Sequence, residues 1–393
     1  MSPDAPTGLV CSADQDVDNN GRYEILSLNQ KNTLSGTLPE EVWLLSTLVS
    51  VQLFDHDLHG TIPTRIGKMP YLESLLLFDM SLSGSIPKEI GLTKLKSLHL
   101  GGNSLTGEIP SEVGKMNELQ YLLLNDNLQI GGSIPTELGR LTGMQELALQ
   151  NNSFVGPIPS EMGALTDLQI LHFGFKNLTG TIPLQLEYVT NLKALVLQSN
   201  SLTGKIPDLA GLGQVEYVFF GQNNLTGTIP ENVIKGWAES IVLDFGDNDL
   251  SGTIPEAIGQ LEHLQVLDLF NNSFSGTIPN FGKLRNVEKI MLEKNNLKGT
   301  IPSSLGSLTN LKRLWLHDNE GLVGSVPTEL CRLVETRSLE SLSVDCQRVE
   351  CNCNCDCSKS TYQPESEETP ALEKQSSNSL WDNVVEFLTG IFD

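Results

Sequence analysis

The tetrapeptide Gly-x-(Ile/Leu/Val)-Pro recurs thirteen times, with prolines running from Pro39 to Pro327. Those prolines span 288 residues in 12 steps, a period of 24. Upstream of each tetrapeptide stand two apolar residues two apart, usually an Asn, and a further apolar residue, as in Leu195, Leu197, Asn200, Leu202 and Gly204. The unit is L-x-L-x-x-N-x-L-x-G-x-I-P, and a fixed period of this length is the mark of a solenoid. One copy cannot enclose its own leucines, whereas stacked copies share a continuous core. Alternation along a strand turns the two leucines of L-x-L inward and leaves x on the outer face of a parallel sheet. The expected fold is an α/β solenoid of about 13 repeats of 24 residues, one strand per repeat. Composition agrees: 35 Gly, 19 Pro and 6% aromatic residues in 393 argue against several conventional cores.

The Asn positions (Asn32, Asn103, Asn127, Asn152, Asn200, Asn223, Asn248, Asn272, Asn295 and Asn319) are expected to turn inward and hydrogen-bond the backbone of the tight turn. His56, Met80 and Lys176 replace Asn in three repeats, which predicts local irregularity there.

This pattern resembles the plant-type leucine-rich repeat of receptor-like kinase ectodomains and polygalacturonase-inhibiting proteins, and is similar to secreted repeat proteins of algae such as diatoms. It covers about residues 25 to 345. The resemblance implies a right-handed horseshoe or superhelix with a concave parallel sheet, short helical turns on the convex side, and an extra strand near L-x-G-x-I-P. It specifies the fold far better than the function, because one scaffold carries many ligands.

Residues 1–24 read as a truncated N-terminal cap: Cys11 precedes an Asn-Gly turn, but its cysteine partner and the upstream helix of such caps have no counterpart. The N-terminus also lacks the basic start and apolar stretch of a secretory signal. A truncated gene model of a secreted or cell-surface protein is the expectation. Residues 25–330 form the solenoid and 331–357 a cysteine-rich cap holding Cys331, Cys346, Cys351, Cys353, Cys355 and Cys357. Six cysteines permit 15 pairings, of which Cys331 with Cys346 is singled out as joining a last helical turn to a last strand. Thiolate binding of a soft metal by the C-x-C-x-C-x-C run competes, though alternate residues on an extended segment make a poor tetrahedron. Residues 358–379 read as an acidic disordered linker and 380–393 as a short amphipathic helix, too short to span a bilayer. Membrane association would come only through that segment or a missing one.

No phosphate loop, H-E-x-x-H pair or nucleophile elbow occurs, so an enzyme is not expected, nor any cofactor or resident metal. Asp244-Phe245-Gly246 spells the kinase metal-binding triplet but places its Phe at an inward strand position. The formal charge of −23 excludes nucleic acid as a simple partner, and a charged partner would be cationic.

The outward sheet positions remain. Phe54, Leu76 and Phe78 form a front cluster; Tyr217, Phe219, Asp244, Asp247, Asp268, Phe270, Trp315 and Asp318 form a rear one. Large aromatics there add nothing to the core and suit recognition anchors. Asp244 and Asp268 fall in one column on adjacent strands about 4.8 Å apart. Their repulsion is roughly 3 kcal/mol at ~5 Å and an effective dielectric near 20. Either a ligand Lys or Arg, or a calcium ion, relieves it, or the carboxylates splay into water. Asn151, Asn177, Asn224 and Asn271 head N-glycosylation sequons, which the repeat itself tends to generate. The expected function is extracellular recognition of a peptide, protein or polysaccharide on the concave face. Inhibition of a secreted hydrolase and a structural wall or matrix role are the alternatives.

Overall fold

A computed structural model describes residues 25–28, 35–175 and 177–357. The expectations for residues 1–24, Cys11, Asn32, Lys176 and residues 358–393 fall outside these. Fourteen parallel strands, from Ile25–Leu28 to Ser341–Ser343, form one sheet in which each strand pairs with those of the adjacent repeats. Two lateral parallel sheets follow the L-x-G-x-I-P segments, one of seven strands from Ser35–Thr37 to Asn177–Thr179 and one of six from Thr203–Lys205 to Asn319–Leu322. The third side is built from single 3-10 turns such as Ser160–Ala164, with α-helices at Glu231–Gly236 and Thr328–Glu335. The α/β leucine-rich-repeat solenoid expected from the period is therefore the fold.

Each motif residue has a mechanical task. Leu195 and Leu197 are fully buried, and every repeat supplies such a pair, each leucine worth about 1.5–3 kcal/mol of transfer energy. Gly204 has φ 80°, a left-handed conformation in which a Cβ would be strained. The proline then stands extended at the mouth of the turn; Pro159, for example, has φ −63°, and its carbonyl accepts the amide of Met162 at 3.1 Å. Having no N–H, proline leaves no donor stranded at that first position.

The asparagines turn inward as expected. Asn248 Nδ2 donates to Phe220 O, Phe245 O and Gly246 O at 3.0, 3.2 and 3.1 Å, while Oδ1 accepts Leu225 N at 2.9 Å. One amide thus ties together two repeats. The ladder ends at Asp345, whose carboxylate accepts the amides of Asp318 and Asn319, both at 3.1 Å.

At Met80 the backbone keeps the repeat geometry, with amides of Asp79 and Met80 donating to Gly101 and Gly102 carbonyls. At His56 the irregularity is chemical: the ring is 3% exposed and neither nitrogen has a hydrogen-bond partner. A buried polar group left unmatched costs about 1–3 kcal/mol. His56→Asn, which returns an amide within reach of Leu53 and Phe54 carbonyls, is therefore expected to stabilise the fold by about 1–2 kcal/mol, read as a higher denaturant midpoint.

The C-terminal cap corrects one expectation. Cys331 bonds Cys353, Cys346 bonds Cys357 and Cys351 bonds Cys355; Cys331 does not bond Cys346. The reason lies in two backbone pairings. Val349–Glu350 pairs with Gly324–Ser325, which turns the chain back beside the helix carrying Cys331. Ser343 then bridges Asp356 and brings Cys357 to Cys346. All six sulfurs proposed as disulfide or metal ligands are in disulfides.

Candidate functional site

The solenoid class makes the outer face of the fourteen-stranded sheet concave. Pairing is in register along it, so Phe219, Asp244, Asp268, Met291 and Trp315 occupy one row across five strands. The columns read from the sequence are real, and a third one precedes them, running through Glu146, Ile170, Ala194 and Tyr217.

At the front, Phe54 and Phe78 stack with ring centroids 4.6 Å apart and planes 5° from parallel. His99 continues the stack onto Phe78 at 4.1 Å. Leu76 is half-buried beside them, in register with His99. Because the ring faces meet one another, the stack offers ring edges to a ligand, a poor platform for a sugar face. His99 is not among the front-cluster residues read from the sequence; the signal for it is its diagonal relation to Phe78 on the adjacent strand.

At the rear, the structure moderates the expectation of exposed anchors. Tyr217, Phe219 and Phe270 are only 8, 7 and 8% exposed. Trp315 is half-buried and its Nε1 donates to Ser341 Oγ at 3.0 Å. Asp247 and Asp318 hold left-handed backbone at the rim (φ 51° and 53°), and Asp247 Oδ1 accepts Asn271 Nδ2 at 2.6 Å. Asn151 Nδ2 is likewise engaged, donating to Asp126 Oδ1 at 2.8 Å, whereas Asn177 and Asn224 are exposed at the starts of lateral strands.

Asp244 and Asp268 do not splay into water. Oδ1 of each accepts the amide two residues on, Gly246 N and Phe270 N, both at 2.9 Å. Each carboxylate lies over a glycine of the preceding repeat: a Cβ on Gly221 would meet Asp244 Oδ1 at 2.6 Å, and one on Gly246 would meet Asp268 Oδ1 at 2.9 Å. Burial, followed by the charge of Asp268, holds the Asp244 carboxyl well above the usual carboxylate range. Burial likewise pushes Asp268 to about 7. Two acids the sequence reading left out behave similarly: burial raises Glu146 to about 7 and Glu293 to about 8. Burial lowers His99 to about 4, and it lowers His317.

Among the described residues Ser343 Oγ lies 2.9 Å from His317 Nδ1. Both residues are buried and His317 Nε2 has no partner, so the pair has neither substrate access nor an orienting acid. Phe245 of the kinase-like triplet is fully buried in the core.

These groups set the sign of a pH dependence. Carboxyls raised in the folded state hold protons that the unfolded chain has already lost, so their stabilising contribution disappears as pH rises from about 4 toward 7–8. Histidines lowered in the folded state act oppositely, and only below their ordinary value of 6.5. The melting temperature is therefore expected to fall between pH 5.5 and 8, most steeply above 6.5. Asp268→Asn with Glu293→Gln should flatten that fall in differential scanning fluorimetry.

Comparison with known proteins agrees with this architecture. The Leucine Rich Repeat family model matches residues 94–116, 241–261 and 263–284. No curated protein matches the chain. Among solved structures, a TDR receptor is 31% identical, with a TM-score of 0.73 over 83% of this chain and 60% of that one. The plant peptide hormone receptor RGFR1 in complex with RGF2 is 32% identical, with a TM-score of 0.62 over 81% and 58%. A plant ice-binding protein is 32% identical, with a TM-score of 0.53 over 64% and 79%. The chain spans about three fifths of the length of the two receptor chains. From the 24-residue unit, the asparagine ladder, the lateral strands and these likenesses together, the chain belongs to the plant-type leucine-rich repeat proteins.

Proposed function

We propose that this protein is a non-catalytic recognition module that binds an extended peptide along its concave sheet, at the cell surface or in the secreted space. The observation that carries the reading is the in-register row Phe219–Asp244–Asp268–Met291–Trp315 on the outer face of the sheet, where two adjacent acids lie between Phe219 on one side and Met291 and Trp315 on the other. Fourteen strands at about 4.8 Å make a track of roughly 65 Å, longer than a small metabolite can use. The likeness to RGFR1, whose structure holds RGF2, supports a peptide over a glycan, and so does the front aromatic stack, in which Phe54 and His99 cover the faces of Phe78. Three disulfides in the C-terminal cap suit an oxidising compartment. Asn177 and Asn224, exposed on the lateral sheets, are the better glycan acceptors of the four sequons. Display of random dodecapeptides on the purified protein tests the reading. Enriched peptides should lose at least ten-fold in affinity on Trp315→Ala, and failure to enrich any peptide would sink it.

A second reading has its own observation and its own surface. Thr181, Thr228, Thr253, Thr277 and Thr300 follow the motif glycine and are exposed beside the lateral strands, in a file that Lys205 interrupts between Thr181 and Thr228. Each methyl sits against the glycine of the next repeat; a Cβ on Gly252 would meet Thr228 Cγ2 at 2.7 Å and one on Gly276 would meet Thr253 Cγ2 at 2.9 Å. Such seating fixes a regular file of hydroxyls and methyls, suited to an ordered surface such as ice, as the 32% identical plant ice-binding protein suggests. Micromolar protein should then suppress ice recrystallisation, and Thr253→Lys with Thr277→Lys should abolish the effect. Recrystallisation unaffected by the unaltered protein would remove this reading.

A further inference from the structure

The acid pair of the concave face has more negative charge around it than the described chain neutralises. Asp244 and Asp268 are register partners, half-buried, and each spends Oδ1 on a backbone amide. One strand further on, Glu293 is 1% exposed and its Oε2 has no hydrogen-bond partner. Alternation from Met291, the register partner of Asp268, puts Glu293 on the same outer face, and the charges of Asp268 and Asp247 act on its carboxyl. Among the nearby cations, Lys294 stands over the Phe270 ring at 5.0 Å, and its charge partly offsets the burial of Glu293. Lys289 and Arg313 pair in register with each other, and neither forms an ion pair with these acids among the described residues.

We propose that Asp244, Asp268 and Glu293 form the seat for one cationic side chain of the bound peptide, a guanidinium or an ammonium. The seat rests on the peptide-binding reading and gives that surface its ligand chemistry. Gly221 and Gly246 are part of it, because only the absence of a Cβ there lets the two carboxylates lie flat along the sheet. A cation on the pair satisfies the oxygens left by the backbone amides and removes the mutual repulsion. It also draws protons from Asp268 and Glu293, which burial holds partly protonated near neutral pH. Asp244, Asp247, Lys289, Lys294, Arg313 and His317 are the other titratable or charged groups facing this region. Binding should therefore tighten from pH 6 to pH 8 while the fold itself loses stability.

The experiment uses the dodecapeptides enriched on the full chain. Enriched sequences are expected to share an Arg or Lys, and its replacement by Gln in the peptide should cost at least ten-fold in Kd. On the Asp244→Asn, Asp268→Asn double variant that cost should vanish. Glu293→Gln should reduce it several-fold and weaken the pH dependence. A melting temperature at or above that of the unaltered protein verifies that the variants fold. Enriched peptides without a shared basic residue, or a Gln penalty equal on both proteins, would overturn the seat while leaving peptide binding intact. No enrichment at all would overturn both.

Discussion

The asparagine that most repeats carry makes the rest possible. Where the chain leaves the sheet, backbone carbonyls and amides of two successive turns face a leucine core that cannot solvate them. Asn248 alone answers three carbonyls and one amide, drawn from its own repeat and the one before. An unmet backbone group in such a place costs as much as a lost hydrogen bond, so the side chain sets the stacking distance as well as the turn. The parallel register of the outer face, on which every functional statement above depends, follows from that spacing. At the last turn Asp345 performs the duty with a carboxylate, which accepts two amides and donates nothing.

The fold was legible because its determinants are local and repeated. Strand, left-handed glycine, proline-capped turn and asparagine recur at a fixed spacing, and a single wrong assignment is outvoted by the other copies. The site was less legible because it is written in the positions the repeat leaves free. Outward columns could be assigned from alternation, and the Asp244–Asp268 adjacency emerged directly from it. What alternation does not encode is how far a side chain leans. Phe78 reaches diagonally to His99, Asp244 folds back over Gly221, and Tyr217 and Phe270 sink among their neighbours instead of standing clear. Alternation puts Glu293 on the outer face, yet its burial depends on the residues around it and has no mark in its own repeat.

The disulfides show the same limit at the end of the chain. Cys331 and Cys346 seemed a natural pair because they flank the last helix and strand. The two-residue pairing of Val349–Glu350 with Gly324–Ser325 redirects the chain and changes both partners. So short a strand carries no periodic signal.

The two accessible surfaces of the solenoid obey different rules. From Thr228 to Thr300 the motif glycine of one repeat receives the threonine methyl of the previous one, so position and conformation are dictated by the repeat itself. That stretch of the lateral surface is regular and suits a target that is itself periodic. The concave columns carry no such lock, and their side chains vary from repeat to repeat without cost to the core. Only there can a non-repeating ligand be distinguished from another, and only there does an acid pair with an unpartnered neighbour stand out from its surroundings. A cationic side chain at Asp244 and Asp268 would fix one point of register for an extended peptide. The strands on either side would then read the residues flanking that point, with Phe219 on one side and Met291 and Trp315 on the other.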